Sequence, residues 1–159
     1  MSGAEPDIRM RLKSHPRLLA SVRSMIVGLA GRIGFGEVES GHVALAVDEA
    51  LANIIRHGYE QREDENIEIR VWVIEEPKAG IRIVIDDEAR QVDPEIMRGR
   101  DLEDVRPGGL GVHIMNEVMD SCMFERREEK GMRVTLEKHL ESDRPGSGSQ
   151  QEPSARRNG

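Results

Sequence analysis

Three polar residues recur every four positions in the segment DEALANIIRHGYE, which covers residues 48–60. They are Glu49, Asn53 and His57, and the positions between them are mostly Ala, Leu and Ile. Residues four apart lie about 40° apart around an α-helix, so the side chains of Glu49 and Asn53 can converge on one point. A carboxylate and a carboxamide oxygen so placed suit Mg2+, which keeps water or phosphate as its other ligands.

The same spacing has a simpler interpretation. Glu and Asn four apart occur on many exposed helices where they bind nothing, and His57 at a helix end is favoured by the helix dipole. The pattern alone therefore leaves a metal site and a solvated helix face both open.

Glycines in the segment PGGLGVHIM form a second candidate site. Gly108, Gly109 and Gly111 open onto a helix, where unpaired backbone N–H groups and the helix dipole bind phosphate. A dinucleotide fingerprint has similar glycines but follows a strand, whereas these follow a charged loop. The segment predicts either a phosphate-binding helix start or a flexible linker before a helix.

Two aspartates provide a third signal, at the end of the apolar run 81–85. The carboxylate of Asp86 or Asp87 could emerge from a buried strand and accept a hydrogen bond from an exocyclic amine. Aspartates at strand ends are also common turn initiators, so this position has a structural interpretation as well.

Two helices are predicted to precede the paired strands. The first covers about residues 17–35, because apolar residues recur at helical spacing after the start signal of Ser14 and Pro16. The second covers about residues 41–58 with Ser40 as its N-cap, and it carries the polar line described above.

Alternation of apolar and polar residues predicts five strands. They lie in DIRMRLK at a sheet edge, in NIEIRVWVIEE and AGIRIVIDDE as one hairpin, and in SCMFERRE and GMRVTLEKHL as a closing hairpin. A long loop at residues 89–109 and a short helix in LGVHIMNEVMD join the hairpins. This order predicts an α+β fold with helices on one face of a mixed sheet.

Composition bounds the remaining possibilities. The 159 residues predict one domain at 1–140, followed by a disordered tail at 141–159 that contains no Leu, Ile, Val or aromatic residue. A net charge of -7 argues against general affinity for nucleic acid or anionic membrane. The single Cys122 excludes an internal disulfide, and no apolar run is long enough to span a bilayer. We therefore expect a cytoplasmic protein with no direct nucleic-acid or membrane partner.

The three signals occur in an order that resembles a known family. DEALANIIRHGY, IDDEARQVDP and GGLGVHIMNEVMD are similar to the N box, first glycine box and second glycine box of the GHKL ATPases, the superfamily of gyrase and the histidine kinases. The resemblance covers roughly residues 5–140 and is closest to the anti-sigma factor serine/threonine kinases. It implies a two-layer α/β sandwich of the Bergerat type, which binds ATP and Mg2+ beneath a lid at about residues 94–107.

The resemblance also implies a role for each matching residue. Glu49 would be the catalytic base, Asn53 the magnesium ligand and Asp87 the acceptor for the adenine amino group. The phosphates would be wrapped by the start of the second glycine box, at Gly108, Gly109, Leu110 and Gly111.

Two positions depart from the family pattern. Ala89 stands beside the expected adenine site where the family usually has Gly, and Val92 stands where Phe is common. The methyl group of Ala89 is expected to crowd the base or, at a positive φ, to cost roughly 1 kcal/mol of backbone strain. On either ground Ala89→Gly is expected to tighten ATP binding.

The implied function is that of an anti-sigma factor serine/threonine protein kinase. It would phosphorylate an anti-sigma factor antagonist with ATP, sequester a sigma factor in its other state and act as a homodimer. One alternative is a partner-switching binding module that has weakened or lost ATP use. Another is the ATPase domain of a histidine kinase, which is disfavoured because no helix with a phosphoacceptor His precedes it.

Overall fold

The computed structural model describes residues 4–95 and 109–141. Its elements follow the predicted order of strand, two helices, two strands, helix and two strands. They are β1 (Ile8–Lys13), α1 (Leu19–Ile33) after a 3-10 turn (Pro16–Leu18), α2 (Glu37–Asn53) continued by a π-helical turn (Ile54–Gly58), β2 (Asn66–Ile74), β3 (Gly80–Asp86), α3 (Gly109–Val118), β4 (Ser121–Arg126) and β5 (Met132–His139).

The five strands form one sheet in the order β1-β2-β3-β5-β4. Every neighbouring pair is antiparallel, so the α+β class is confirmed but the expected mixed sheet is wrong. The reason lies in the connection through α3, which makes β4 run in the same direction as β3. Because β5 lies between these two strands, they never pair, and no parallel ladder forms.

Along β1, β2 and β5, alternation separates a more buried face from a more exposed one, and the central strand β3 is buried at six of its seven residues. The buried face contributes isoleucines and valines such as Ile67, Ile69, Ile83 and Ile85 to the core. Helices α1 and α2 cover that face with their own apolar residues, which include Val22, Ile26, Val43, Val47 and Leu51. Burying side chains of this size contributes about 1.5 to 3 kcal/mol each. The layers thereby hold α2, with its polar line, next to the sheet.

Helix α2 begins four residues before the expected position. Its N-cap is Gly36, whose N–H donates to the Glu39 carboxylate at 3.1 Å. Ser40 lies inside the helix instead, where its hydroxyl donates to the carbonyl of Phe35. A Glu three residues into a helix satisfies the free N–H of the cap residue, and this interaction outcompetes Ser40 as the start signal.

Several expectations fall outside the described residues. The expected lid at 94–107 is described only at residues 94 and 95, and the expected tail is described only at residue 141. Within residues 4–95 and 109–141, no helix has the length and apolar character needed to cross a membrane.

Candidate functional site

The polar line of α2 meets α3 at a glycine. A Cβ placed on Gly111 would lie 2.6 Å from Oε2 of Glu49 and 3.5 and 3.6 Å from the side-chain nitrogen and oxygen of Asn53. The absence of a side chain at Gly111 is therefore what lets α3 approach these two residues. The structure brings Glu49 and Asn53 together with Gly111 of the second glycine box, although Gly111 is far from them in the sequence.

A cleft of about 670 Å³ opens beside this contact. Its walls are the end of α2, the segment that follows β3, helix α3 and strand β5. The apolar part of the lining comprises Ala50, Ile54, Val112, Phe124, Met132 and Val134. The volume lies within the usual range for sites that bind small ligands and cofactors.

Asp87 lines the cleft and is 3% exposed. Its Oδ1 accepts hydrogen bonds from the backbone N–H groups of Ala89 at 2.8 Å and Met132 at 3.1 Å. Burial raises the pKa of this carboxyl group above its ordinary value. Within the described residues, no hydrogen bond engages Oδ2, which leaves that oxygen to accept a proton donor from a ligand.

Gly131 holds the backbone of Asp87 in place. It has a φ of +84°, and a Cβ at this position would lie 1.9 Å from the carbonyl oxygen of Asp87. The same oxygen accepts a hydrogen bond from Arg127 at 2.5 Å. Only glycine is compatible with this approach, because any side chain would overlap the backbone of Asp87.

Tyr59 ties the end of the π-helical turn to the same segment. Its buried hydroxyl accepts the Glu88 N–H at 2.7 Å and donates to the carbonyl of Asn66 at 2.5 Å. Burial raises the pKa of Tyr59 to about 12, so the hydroxyl stays neutral. Sequence reasoning missed both Tyr59 and Gly131, because their roles depend on segments remote along the chain.

Asp86 has a different role from Asp87, since successive strand residues point to opposite faces. Its carboxylate pairs with Arg70 at 2.7 Å and with Arg133 at 2.7 Å on the polar face of the sheet. Asp86 ends β3 and Asp87 follows it, and of the two only Asp87 lines the cleft.

The remaining candidate residues also divide into those that line the cleft and those that do not. Gly109 and His57 line the cleft, whereas Leu110 is 67% exposed and does not. Gly108 lies outside the described residues. His113 and Asn116 also line the cleft and were missed, although their spacing from Gly109, four and seven residues, places all three on one face of α3.

Ala89 lines the cleft and is 6% exposed. The non-glycine residues with positive φ in the described ranges are Glu60 and Gln61, so the strain expected at Ala89 is absent. Its methyl carbon lies 3.0 Å from the position that a Cβ on Gly58 would occupy. The departure from the family pattern thus fills space beside the π-helical turn without backbone strain. Val92, the second departure, is 42% exposed at the rim.

The charges of the cleft are unusual for a site that would hold phosphates. Glu60, Asp87 and Asp93 line it, and Arg90 is the only Lys or Arg among the described lining residues. No three His, Cys, Asp or Glu side chains of the described ranges could hold a metal ion by themselves. An anionic ligand in this cleft would therefore have to be bound by backbone N–H groups and by a cation that the ligand itself helps to coordinate. The carboxamide oxygen of Asn53 together with phosphate oxygens fits Mg2+.

Comparison with known proteins identifies relatives along most of the chain. Residues 12–138 match the family described as the histidine kinase-like ATPase domain. The chain is 26% identical over 146 residues to Serine-protein kinase RsbW of Bacillus subtilis (strain 168), covering 86% of this chain and 88% of that protein. It is 27% identical over 148 residues to Serine-protein kinase RsbW of Listeria monocytogenes serovar 1/2a, covering 88% and 91%.

A solved structure shares the fold. The Erythrobacter litoralis EL346 blue-light activated histidine kinase superposes with a TM-score of 0.50 at 18% identity, over 79% of this chain and 41% of that one. This chain therefore spans less than half of that kinase, and the likeness concerns the architecture alone.

Proposed function

Because the chain belongs to the histidine kinase-like ATPase domain family, we propose that its cleft binds ATP with Mg2+ and that the protein is a serine/threonine protein kinase. The relatives named serine-protein kinase match most of the chain, which supports a serine hydroxyl rather than a histidine as the phosphate acceptor. Its protein substrate would be an anti-sigma factor antagonist. In its other state the protein would sequester a sigma factor and so regulate transcription from the cytoplasm.

The observation that carries this proposal is the contact of Gly111 with Glu49 and Asn53. It joins a potential base, a potential magnesium ligand and the first turn of α3 beside the cleft. Asn53 and Asp87 line that cleft, whereas Glu49 and Gly111 lie next to it and are not among its described lining residues. Phosphoryl transfer depends mainly on positioning and on charge stabilisation, so these parts suffice for it.

Each part has a task that follows from its chemistry. Oδ2 of Asp87 would accept a hydrogen bond from the adenine amino group, while Oδ1 stays fixed by two backbone N–H groups. The backbone N–H groups at the start of α3, around Gly109 and Gly111, would bind phosphate oxygens. The carboxylate of Glu49 would accept the proton of the attacking serine hydroxyl as the γ-phosphoryl group is transferred.

Magnesium would be held by Asn53 and the phosphates, and when bound it would supply positive charge to the phosphoryl oxygens. That charge is needed because three carboxylates and one arginine line the described part of the cleft. The sites implied by the resemblance at Ala89, Leu110 and Gly108 remain proposals. Of these, Ala89 has the clearest support, since it borders Asp87 in the cleft.

The alternative of a binding module that has lost ATP use rested on Ala89. That alternative had two grounds, which were crowding of the base by the methyl group and backbone strain at a positive φ. The second ground is removed, because Ala89 does not have a positive φ. A homodimer that binds an antagonist or a sigma factor, which the family resemblance implies, remains part of the proposal.

The test of the proposed function is phosphate transfer. We expect the protein, supplied with γ-labelled ATP and Mg2+, to label a candidate antagonist protein on serine or threonine. Glu49→Gln should keep ATP binding and lose transfer, because it preserves the shape of the side chain and removes its basicity. Equal labelling by the wild type and this variant would contradict the role of Glu49.

A further inference from the structure

The π-helical turn after α2 and the segment after β3 approach each other closely at Gly58 and Ala89. A Cβ on Gly58 would lie 3.0 Å from the methyl carbon of Ala89 and 3.9 Å from Cγ2 of Ile54. Ordinary van der Waals contact between carbons begins at about 3.5 Å. The space between the two backbones therefore holds one methyl group, and Ala89 supplies it.

This contact lies next to the hydrogen bonds that fix Asp87. Tyr59, the neighbour of Gly58, accepts the N–H of Glu88 at 2.7 Å. The N–H of Ala89 donates to Oδ1 of Asp87 at 2.8 Å. The backbone of Asp87 also packs closely against Gly131, where an added Cβ would overlap the carbonyl oxygen of Asp87. A change of volume between Gly58 and Ala89 must therefore be absorbed by the segment that carries the Asp87 carboxylate.

We infer that Gly58 and Ala89 are a size-matched pair of positioning residues, which together set where Asp87 meets the base of a bound nucleotide. The pair controls both the affinity for adenine and its discrimination from guanine. This inference rests on the proposed function. Guanine presents a carbonyl oxygen where adenine presents its amino group, so a correctly placed carboxylate accepts a hydrogen bond from adenine and repels guanine.

If one methyl group fits between the two backbones, the wild type, the two single variants and the double variant should differ in how well they bind nucleotide. Gly58→Ala places two methyl groups where one fits, and the overpacking displaces Ala89 and Asp87. Ala89→Gly leaves the space empty and frees the segment. The double variant again has one methyl group, now contributed from the helix side. It should therefore resemble the wild type more than either single variant does. The expected tightening of ATP binding by Ala89→Gly is thus replaced by a weakening.

The experiment is a double-mutant cycle on the full chain, with dissociation constants for ATP and GTP measured calorimetrically in Mg2+. We expect Gly58→Ala to weaken ATP binding about tenfold and to reduce the preference for ATP over GTP by a similar factor. Ala89→Gly should weaken ATP binding about threefold, and the double variant should bind ATP more tightly than either single variant, within about 1.5-fold of the wild type. Unfolding midpoints without nucleotide establish that each protein is folded.

Each outcome of the double-mutant cycle tests a different part of the inference. A double variant that binds ATP more weakly than both single variants, with a wild type that binds normally, would overturn the pairing alone. An unchanged ratio of ATP to GTP affinity in Gly58→Ala would overturn its role in base recognition. If Gly58→Ala does not fold, Ala89→Gly is compared with the double variant, and equal or weaker binding by the double variant overturns the inference. A wild type that binds no nucleotide would overturn the proposed function and the inference with it.

Discussion

The contact at Gly111 predicts a variant that separates binding from transfer. A methyl group on Gly111 would lie 2.6 Å from Oε2 of Glu49, against about 3.5 Å for an ordinary contact, so the carboxylate must move by about 0.9 Å. The same methyl group would lie 3.5 Å from the nearest side-chain atom of Asn53, which is an ordinary contact. Gly111→Ala therefore displaces the proposed base and leaves the proposed magnesium ligand in place.

The magnitude follows from the size of that displacement. A misplacement of about 1 Å in a reacting group costs up to about a hundredfold in rate. We expect kcat for phosphate transfer to fall about 10- to 100-fold in Gly111→Ala, which corresponds to about 1.4 to 2.7 kcal/mol of activation free energy. The dissociation constant for ATP should change about threefold or less, because the contact with Asn53 is preserved.

A matched control is available on α2 itself. Gly41 lies within that helix with nothing within 4 Å of an added Cβ. Gly41→Ala gains helix propensity of up to about 1 kcal/mol, as Gly111→Ala does, but it touches no side chain. Single-turnover transfer and ATP titrations are measured for both variants and the wild type. Equal kcat values in all three proteins, at equal occupancy by ATP, would refute the reasoning.

Three further predictions concern the metal ligand, the glycine behind Asp87 and the buried tyrosine. Asn53→Ala should abolish the rise in unfolding midpoint that ATP and Mg2+ produce together, and a retained rise would contradict its role. Gly131 has a φ of +84°, and an added Cβ would lie 1.9 Å from the carbonyl oxygen of Asp87. Gly131→Ala should therefore destabilise the fold by about 2 kcal/mol or more and lower the denaturation midpoint in urea. A midpoint unchanged from the wild type would contradict this contact. Tyr59 is the single tyrosine, so an ultraviolet titration should show its hydroxyl ionising near pH 12 instead of 10.0. The stability that the neutral buried hydroxyl contributes below pH 10 should be lost as the pH rises towards 12. Ionisation at the ordinary pH would contradict the burial of this hydroxyl.

The sequence predicted those parts of the fold that depend on local periodicity. Alternation in strand β2 and helical spacing in α1 encode which face is buried, and the structure agrees with both. In β3 the alternation predicts the strand itself but not its burial, because six of its seven residues are buried. The start of α2 was missed because two local signals competed, and Glu39 satisfies the cap N–H where Ser40 was expected to act. The absence of parallel pairing was missed because strand order depends on β5 entering between β3 and β4.

The site was predictable in part, for a related reason. Four-residue spacing on a helix is a local pattern, and it suffices to place Glu49 and Asn53 on one face. Tyr59 accepts the N–H of Glu88 across a gap of 29 residues, and Gly131 approaches Asp87 across a gap of 44, and no local pattern encodes such contacts. The pairing of Gly58 with Ala89 is another contact between remote residues, because a methyl group at one position fits only if the other position has none.

Binding of ATP in the cleft through Mg2+ held at Asn53 is tested most directly by calorimetric titration of the wild type with ATP. The titration is made once with Mg2+ and once with a chelator that removes it. We expect saturable binding of one ATP per chain with Mg2+ and binding weakened at least about tenfold without it, because the described lining carries three carboxylates against one arginine. Equal affinity in both conditions, or no binding at millimolar ATP with Mg2+, would contradict the claim.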